Sequence, residues 1–150
     1  MKSKLTLVVL AITVLGLAPS LHGVCTNATM VANWGFTGTG TIFSANGPVP
    51  VAAVGTVRFD LNGNVFGGQD RSVGGGELHE TISGTYSITR DCQLTVVASV
   101  YDDSGTLQRT TTLKGVVVKG GKKTRMIYQS ITLPNGAPLP SVLILDADKT

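Results

Sequence analysis

His79 is the one histidine beyond the first 23 residues, and it sits in an extended, threonine-rich stretch with a carboxylate on either side. In a strand successive side chains alternate faces, so Glu77 and Thr81 share the face of His79 while Glu80 points the other way. Glu77-x-His79 offers either a carboxylate-oriented imidazole or two metal ligands. A nucleophilic triad needs a hydroxyl beside the base and a third orienting group, and a zinc site needs three or four ligands. No such set clusters around His79, which reads as a strand histidine facing solvent, with no metal and no cofactor expected.

The other chemistry-bearing residues have simpler readings. Asp102-Asp103-Ser104-Gly105 is the composition that a tight turn favours, and Asp146-x-Asp148 falls at the end of the chain. Lys114, Lys119, Lys122, Lys123 and Arg125 concentrate around Gly120-Gly121, where cations blunt a hairpin tip against edge pairing. Cys25 and Cys92 are the two cysteines. In an oxidising compartment a disulfide between them would form and persist.

The amino terminus points to that compartment. Lys2 and Lys4 precede an apolar run from Leu5 to Ala18, closed by Pro19, which is the arrangement of a secretory signal peptide. The run is shorter than the roughly 20 residues of a spanning helix, so no stable membrane anchor is expected. Cleavage is expected after Ser20, which Ala18 precedes in an A-x-A-like arrangement, or after Gly23, where Leu21 suits the minus-three position less well, giving a signal peptide over 1–23, a single domain over 24–150 and a secreted or periplasmic protein. Val24 before Cys25 does not suit lipid attachment. Without Lys2 and Lys4 the basic excess falls to about +1, so charge gives no reason to expect a nucleic-acid partner.

The elements that position these residues are strands. Segments rich in Val, Ile, Thr and aromatic residues are separated by Asn46-Gly47-Pro48, Asn62-Gly63-Asn64, Gly74-Gly75-Gly76, Arg90-Asp91, Asp102 to Gly105, Gly120-Gly121 and Pro134 to Pro138. These breaks leave eight strands, expected over 32–44, 50–60, 64–72, 77–89, 92–101, 106–118, 122–133 and 140–147. Short connections make sequential strands antiparallel neighbours. An all-β, eight-stranded antiparallel up-and-down barrel closes such a set without exposed edges, with a β-sandwich as the alternative. Val57, Phe59 and Leu61 share one face; so do Ile82, Tyr86 and Ile88, and Leu94, Val96, Ala98 and Val100. Val116 to Val118, Met126 to Tyr128 and Val142 to Leu145 are apolar on both faces, which suggests a homo-oligomer through strands six to eight.

Gly35, Gly38 and Gly40 accompany Trp34 and Phe36 in the first strand. Glycine inside a strand marks a bend or a close approach, and barrels need bends at their corners. Gly38 and Gly40 also leave room for a ligand beside Trp34. A lumen site for a small apolar or amphipathic molecule would thus draw on Trp34, Phe36, Gly38, Gly40, Phe59 and Tyr86.

Three stretches carry a resemblance: Gly38-Thr39-Gly40-Thr41; Pro50 to Asp60 (PVAAVGTVRFD) followed by Leu61-Asn62-Gly63-Asn64; and Ser83 to Ile88 (SGTYSI) ahead of Asp91-Cys92. Over most of residues 25 to 133 the chain resembles a group of uncharacterised exported bacterial β-barrel proteins with one cysteine opening the domain and a second in an Asp-Cys step. Its fold is similar to the allene-oxide-cyclase-like barrels, which implies a lumen able to hold an apolar molecule. Gly84-Thr85-Tyr86 also resembles a feature of avidin-like barrels, whose biotin site uses several tryptophans where this chain has Trp34 alone. No family motif aligns position by position, so the catalytic residues are unknown.

Three functions remain: a non-catalytic binding barrel; a cyclase or isomerase using Tyr86, Tyr101, Tyr128 or Glu77 in the same lumen; and a structural or adhesive envelope protein whose barrel is filled. The reading favours the binder. The size and lining of the lumen decide among them.

Overall fold

The computed structural model describes residues 24–150; the expected signal peptide over 1–23 and its expected cleavage sites lie outside the described residues. One helical turn, α1 (Asn27–Met30), precedes eight strands: β1 (Ala32–Ser44), β2 (Gly47–Phe59), β3 (Asn64–Val73), β4 (Gly76–Ile88), β5 (Gln93–Asp102), β6 (Leu107–Val118), β7 (Lys123–Thr132) and β8 (Ser141–Lys149). Each strand pairs antiparallel with the next, and β8 returns to β1, so the sheet closes into an up-and-down barrel. The sandwich alternative is thereby excluded.

The strands fall where the turn residues place them. The largest displacement is at β2, which begins at Gly47 and includes Pro48 and Pro50. These prolines lie opposite Phe43 and Thr41 of β1 but precede Val51, where pairing with β3 begins. A proline without its N–H is tolerated where one side of the strand has no ladder to join. Leu61, expected to share the inner face of Phe59, lies instead in the turn after β2 and is exposed.

Alternation turns one residue in two into the barrel. Trp34, Phe36, Phe59, Val65, Tyr86, Leu94, Val96, Leu113, Met126 and Leu145 form the larger apolar cluster; Ile42, Val51, Ile131 and Leu143 form a smaller one toward the other end. Outside, Val116, Ile127, Val142 and Ile144 face solvent, as the two-sided apolar character of β6 to β8 requires.

One end of the barrel is stoppered by α1, a single turn too short to leave a helical periodicity in the sequence. Thr26 N–H donates to Thr29 Oγ1 at 3.0 Å, satisfying one of the donors that a helix start leaves unpaired. Met30 is fully buried, and its carbonyl accepts the Trp34 indole N–H at 2.8 Å. Trp34 meets Phe59 edge-on, and Phe59 meets Tyr86 edge-on, with centroids 6.1 and 4.9 Å apart. The Tyr86 hydroxyl donates to the Asp60 carbonyl at 2.6 Å. Cys25 and Cys92 form the expected disulfide, which ties the residue just ahead of α1 to the turn before β5.

Two irregularities change which side chains enter the lumen. Between β5 and β6 the register shifts so that Val100 faces Arg109 and Tyr101 faces Leu107. Between β6 and β7 it shifts so that Thr112 faces Ser130 and Leu113 faces Tyr128. The second bulge reverses the phase of β7: Met126 and Tyr128 enter the barrel, and so does Ile131 three residues later. Bulges of this kind re-aim side chains beside functional sites.

Candidate functional site

The lumen is not uniformly apolar. Between the two clusters lies a layer of buried polar side chains: Gln69 and Arg71 from β3, Glu80 from β4, Arg109 from β6 and Tyr128 from β7. The same alternation that buries Val65 and partly buries Val73 carries Gln69 and Arg71 inward, because all four share one parity along β3. Gln69 and Glu80 are cross-strand partners, so their side chains meet at once.

Glu80 is the centre of the layer. It is 2 % exposed. The Arg109 guanidinium grips both of its oxygens, with Nη2 to Oε2 at 2.7 Å. Gln69 Nε2 donates to Oε2 at 2.6 Å, and Arg71 Nη1 stands 3.5 Å from Oε1. Burial by itself would raise the carboxyl pKa. The hydrogen bonds and charge of Arg109, with Gln69 and Arg71, outweigh it and hold Glu80 below the ordinary glutamate value. Burial pushes the Tyr128 phenol up, so it stays a neutral donor. Arg71 is lowered by burial and by Arg109 but remains a cation, since a guanidinium keeps its proton in proteins.

This layer divides the lumen. On the stoppered side is a chamber of about 50 Å³ walled by Phe36, Phe59, Val96, Ala98, Met126 and Leu145, with Gln69, Arg109 and Tyr128 on its polar wall. On the other side a space of about 10 Å³ is bordered by Gly38, Arg71, Ile131 and Leu143 and again by Gln69, Arg109 and Tyr128. Arg71 and Gly38 also border an open surface groove beside Asp70 and His79. The larger chamber contains one polar atom without a partner among the described residues, the hydroxyl of Thr124, which is 1 % exposed.

The residues singled out from sequence separate into three places. Phe36 and Phe59 line the chamber. Trp34 and Tyr86 pack in the stopper beneath it, each meeting Phe59 edge-on. Gly38 borders the smaller space, whereas Gly40 is a close-approach glycine: at φ 152° it lies against β8, and a Cβ there would stand 2.1 Å from the Val142 carbonyl oxygen. Of the four candidate polar groups for catalysis, Tyr128 alone lines the chamber; Glu77 borders the outer groove. Gln69, Arg71 and Arg109 were not singled out. Their signal was parity, shared with Val65 and Val73 on β3 and with Thr111 and Leu113 on β6.

His79 lies on the outer wall, its Nδ1 2.7 Å from Asp70 Oδ1, its cross-strand partner. That hydrogen bond is the main reason its pKa is raised. Among the described residues no group of three His, Cys, Asp or Glu side chains could hold a metal ion. Asp102 Oδ1 accepts from Ser104 and Thr106 and so holds its turn.

No protein-family model and no curated protein sequence matches the chain. Among solved structures, it is similar to one titled "Structure of EF1p2_mFAP2b bound to DFHBI", at 8% identity and a TM-score of 0.54, over 82% of this chain and 95% of that one. At that identity the likeness is one of fold, and it supports the closed barrel.

Proposed function

We propose that this is an exported, non-catalytic binding barrel that holds a small amphipathic molecule in its lumen. The observation that carries the reading is the chamber itself: inside the barrel, walled mainly by apolar side chains, with a guanidinium–carboxylate layer at one end and the unpartnered Thr124 hydroxyl in its wall. Binding sites combine apolar walls with a few placed polar groups in this way. The similar barrel solved with DFHBI is consistent with this architecture taking a small molecule. Within the chamber the ligand would touch Phe36 and Phe59, with Trp34 and Tyr86 supporting Phe59 from below. Binding is favoured over a cyclase or isomerase because Glu80 is ionised and saturated by Gln69 and Arg109, and so is poorly placed to exchange a proton with a substrate.

Size sets a limit. A cavity that holds benzene is about 150 Å³, so a chamber of about 50 Å³ takes a guest of a few heavy atoms unless its wall moves. Met126, an unbranched side chain with three rotatable bonds, is the wall residue best able to move. The same volume favours a second reading, a filled structural barrel without a ligand.

Thermal unfolding with n-alkyl alcohols of two to eight carbons separates the two. A binder gains RT ln(1 + [L]/Kd), about 2.7 kcal/mol at a hundredfold excess over Kd, which raises Tm by roughly 10 °C in a domain of this size. Ala98→Val fills the chamber from its wall and should abolish the rise. No rise with any alcohol leaves the filled barrel; a rise that survives Ala98→Val places the guest elsewhere.

A further inference from the structure

The polar layer does not balance its charge. Arg71 and Arg109 bring two guanidiniums into the barrel, their side chains 10 and 6 % exposed, and among the described residues Glu80 is the one carboxylate paired with either. Tyr128 is neutral and Gln69 carries no charge. The layer therefore holds one net positive charge between two apolar clusters. Asp70, Glu77 and His79 approach Arg71 only at the outer groove, where Asp70 is already bonded to His79 and both are well exposed to water.

An uncompensated charge in such a place is costly, and buried charges are ordinarily paired. The distribution of donors shows where the deficit lies. Arg109 makes a two-pronged contact with Glu80. Arg71 reaches the same carboxylate through one nitrogen at 3.5 Å, longer than a good N–H to O hydrogen bond. A guanidinium offers five N–H donors in a planar fork that matches a carboxylate. Arg109 and Tyr128 border both spaces of the lumen, and Arg71 borders the smaller one.

We infer that the molecule held in the lumen is an anion, a small amphipathic carboxylate whose head is bound within the polar layer by Arg109 and Tyr128, which border both spaces, with Arg71 meeting it from the smaller one, and whose apolar part lies along Phe36, Met126 and Leu145. This deepens the lumen-binding reading and rests on it. A ligand carboxylate brings the layer to charge parity, two carboxylates to two guanidiniums, and leaves the Gln69–Glu80–Arg109 contacts in place. Phosphate dianions would overshoot that balance, and neutral amphiphiles would leave the charge as it is.

The test compares, on the wild-type barrel, straight-chain carboxylates from acetate to octanoate with the matching alcohols and methyl esters, reading Kd by calorimetry and Tm at constant ionic strength. At the best chain length the carboxylate should bind at least about tenfold more tightly than its alcohol and ester, the least that charge-assisted hydrogen bonds provide. Arg71→Gln, which leaves the Glu80–Arg109 pair intact, should shrink that preference to roughly twofold. Equal affinity of carboxylate, ester and alcohol in the wild type overturns the anionic head while leaving the lumen-binding reading standing. Binding by none of the three series overturns both. Acetate binding as tightly as any longer acid overturns the amphipathic part, and phosphate binding more tightly than every carboxylate overturns the choice of head group. Should Arg71→Gln not fold, the wild-type comparison decides alone.

Discussion

Glu80→Gln is the substitution that most directly tests the polar layer. The side chain keeps its size and can still accept a hydrogen bond, but the negative charge is gone, so the buried layer changes from one excess positive charge to two. Removing one partner of a buried ion pair costs about 3–5 kcal/mol, because the other charge is left without compensation. Against a total of about 5–15 kcal/mol for a small domain, the variant should fold but be visibly weakened. With a urea m-value of about 2 kcal/mol/M, the midpoint should fall by roughly 2 M.

The pH dependence makes the prediction specific. Glu80 has a folded pKa below its unfolded value near 4.3, so its contribution to stability is fully present above about pH 4.3. It is lost as pH falls through the lower folded value. The gap between wild type and Glu80→Gln should therefore be widest at pH 7 and should narrow in acid. Asp60 and Asp102, whose pKa values are also lowered by their turn hydrogen bonds, act equally in both proteins and cancel in the difference. Arg71→Gln, which removes the surplus charge, should cost less than about 1 kcal/mol, and the double variant should be no less stable than Glu80→Gln alone. A gap of under about 1 kcal/mol at pH 7, a gap constant from pH 7 to pH 3, or simple additivity of the two substitutions would refute the reasoning.

Two further outcomes follow from the frame. Reducing the Cys25–Cys92 disulfide, which closes a separation of 67 residues, should destabilise the barrel by about 4 kcal/mol in the chain-entropy model, seen as a drop in the urea midpoint with added reductant that the Cys25→Ser/Cys92→Ser variant does not show. Gly40→Ala should be strongly destabilising, by roughly 2 kcal/mol or more, because of the positive φ and the contact with Val142; Gly38→Ala, whose Cβ would meet nothing nearer than 3.5 Å, should change stability by under about 1 kcal/mol. The pair is compared by denaturant unfolding, and similar losses for both would contradict the separate roles given to them.

The frame was legible because its signals are local. Turn residues recur between strands, and β5 writes its inner face as Leu94, Val96, Ala98 and Val100, all buried. The disulfide was expected from two cysteines and from the signal-peptide pattern read in residues 1–23. The stopper was not legible: α1 is one turn long, and what fixes it are contacts from afar, such as Lys149 Nζ donating to the Thr29 carbonyl at 2.8 Å. Nor was the polar layer. In β3 the run Gly67-Gly68-Gln69-Asp70-Arg71 has no apolar alternation to mark an inner face, and Phe66, its most hydrophobic neighbour, points outward. The rule that apolar residues face inward fails there because the buried residues are polar, and such failures are expected where function intrudes on the core.

What keeps Arg71, Glu80 and Arg109 inside the barrel is not explained by stability. A buried ion pair can often be replaced by well-packed apolar residues with no loss, and the register is already fixed by the unbroken pairing of β3 with β4 and by the bulge beside Arg109. An even-numbered layer would have served those purposes at lower cost. The odd charge is the feature that a purely structural account leaves over, and it sits between an apolar chamber and a space bordered by Arg71 itself. A carboxylate entering the lumen accounts for both the surplus cation and the adjoining apolar walls, which is why the preference for acids over alcohols, rather than affinity alone, is the measurement that distinguishes this barrel from a filled one.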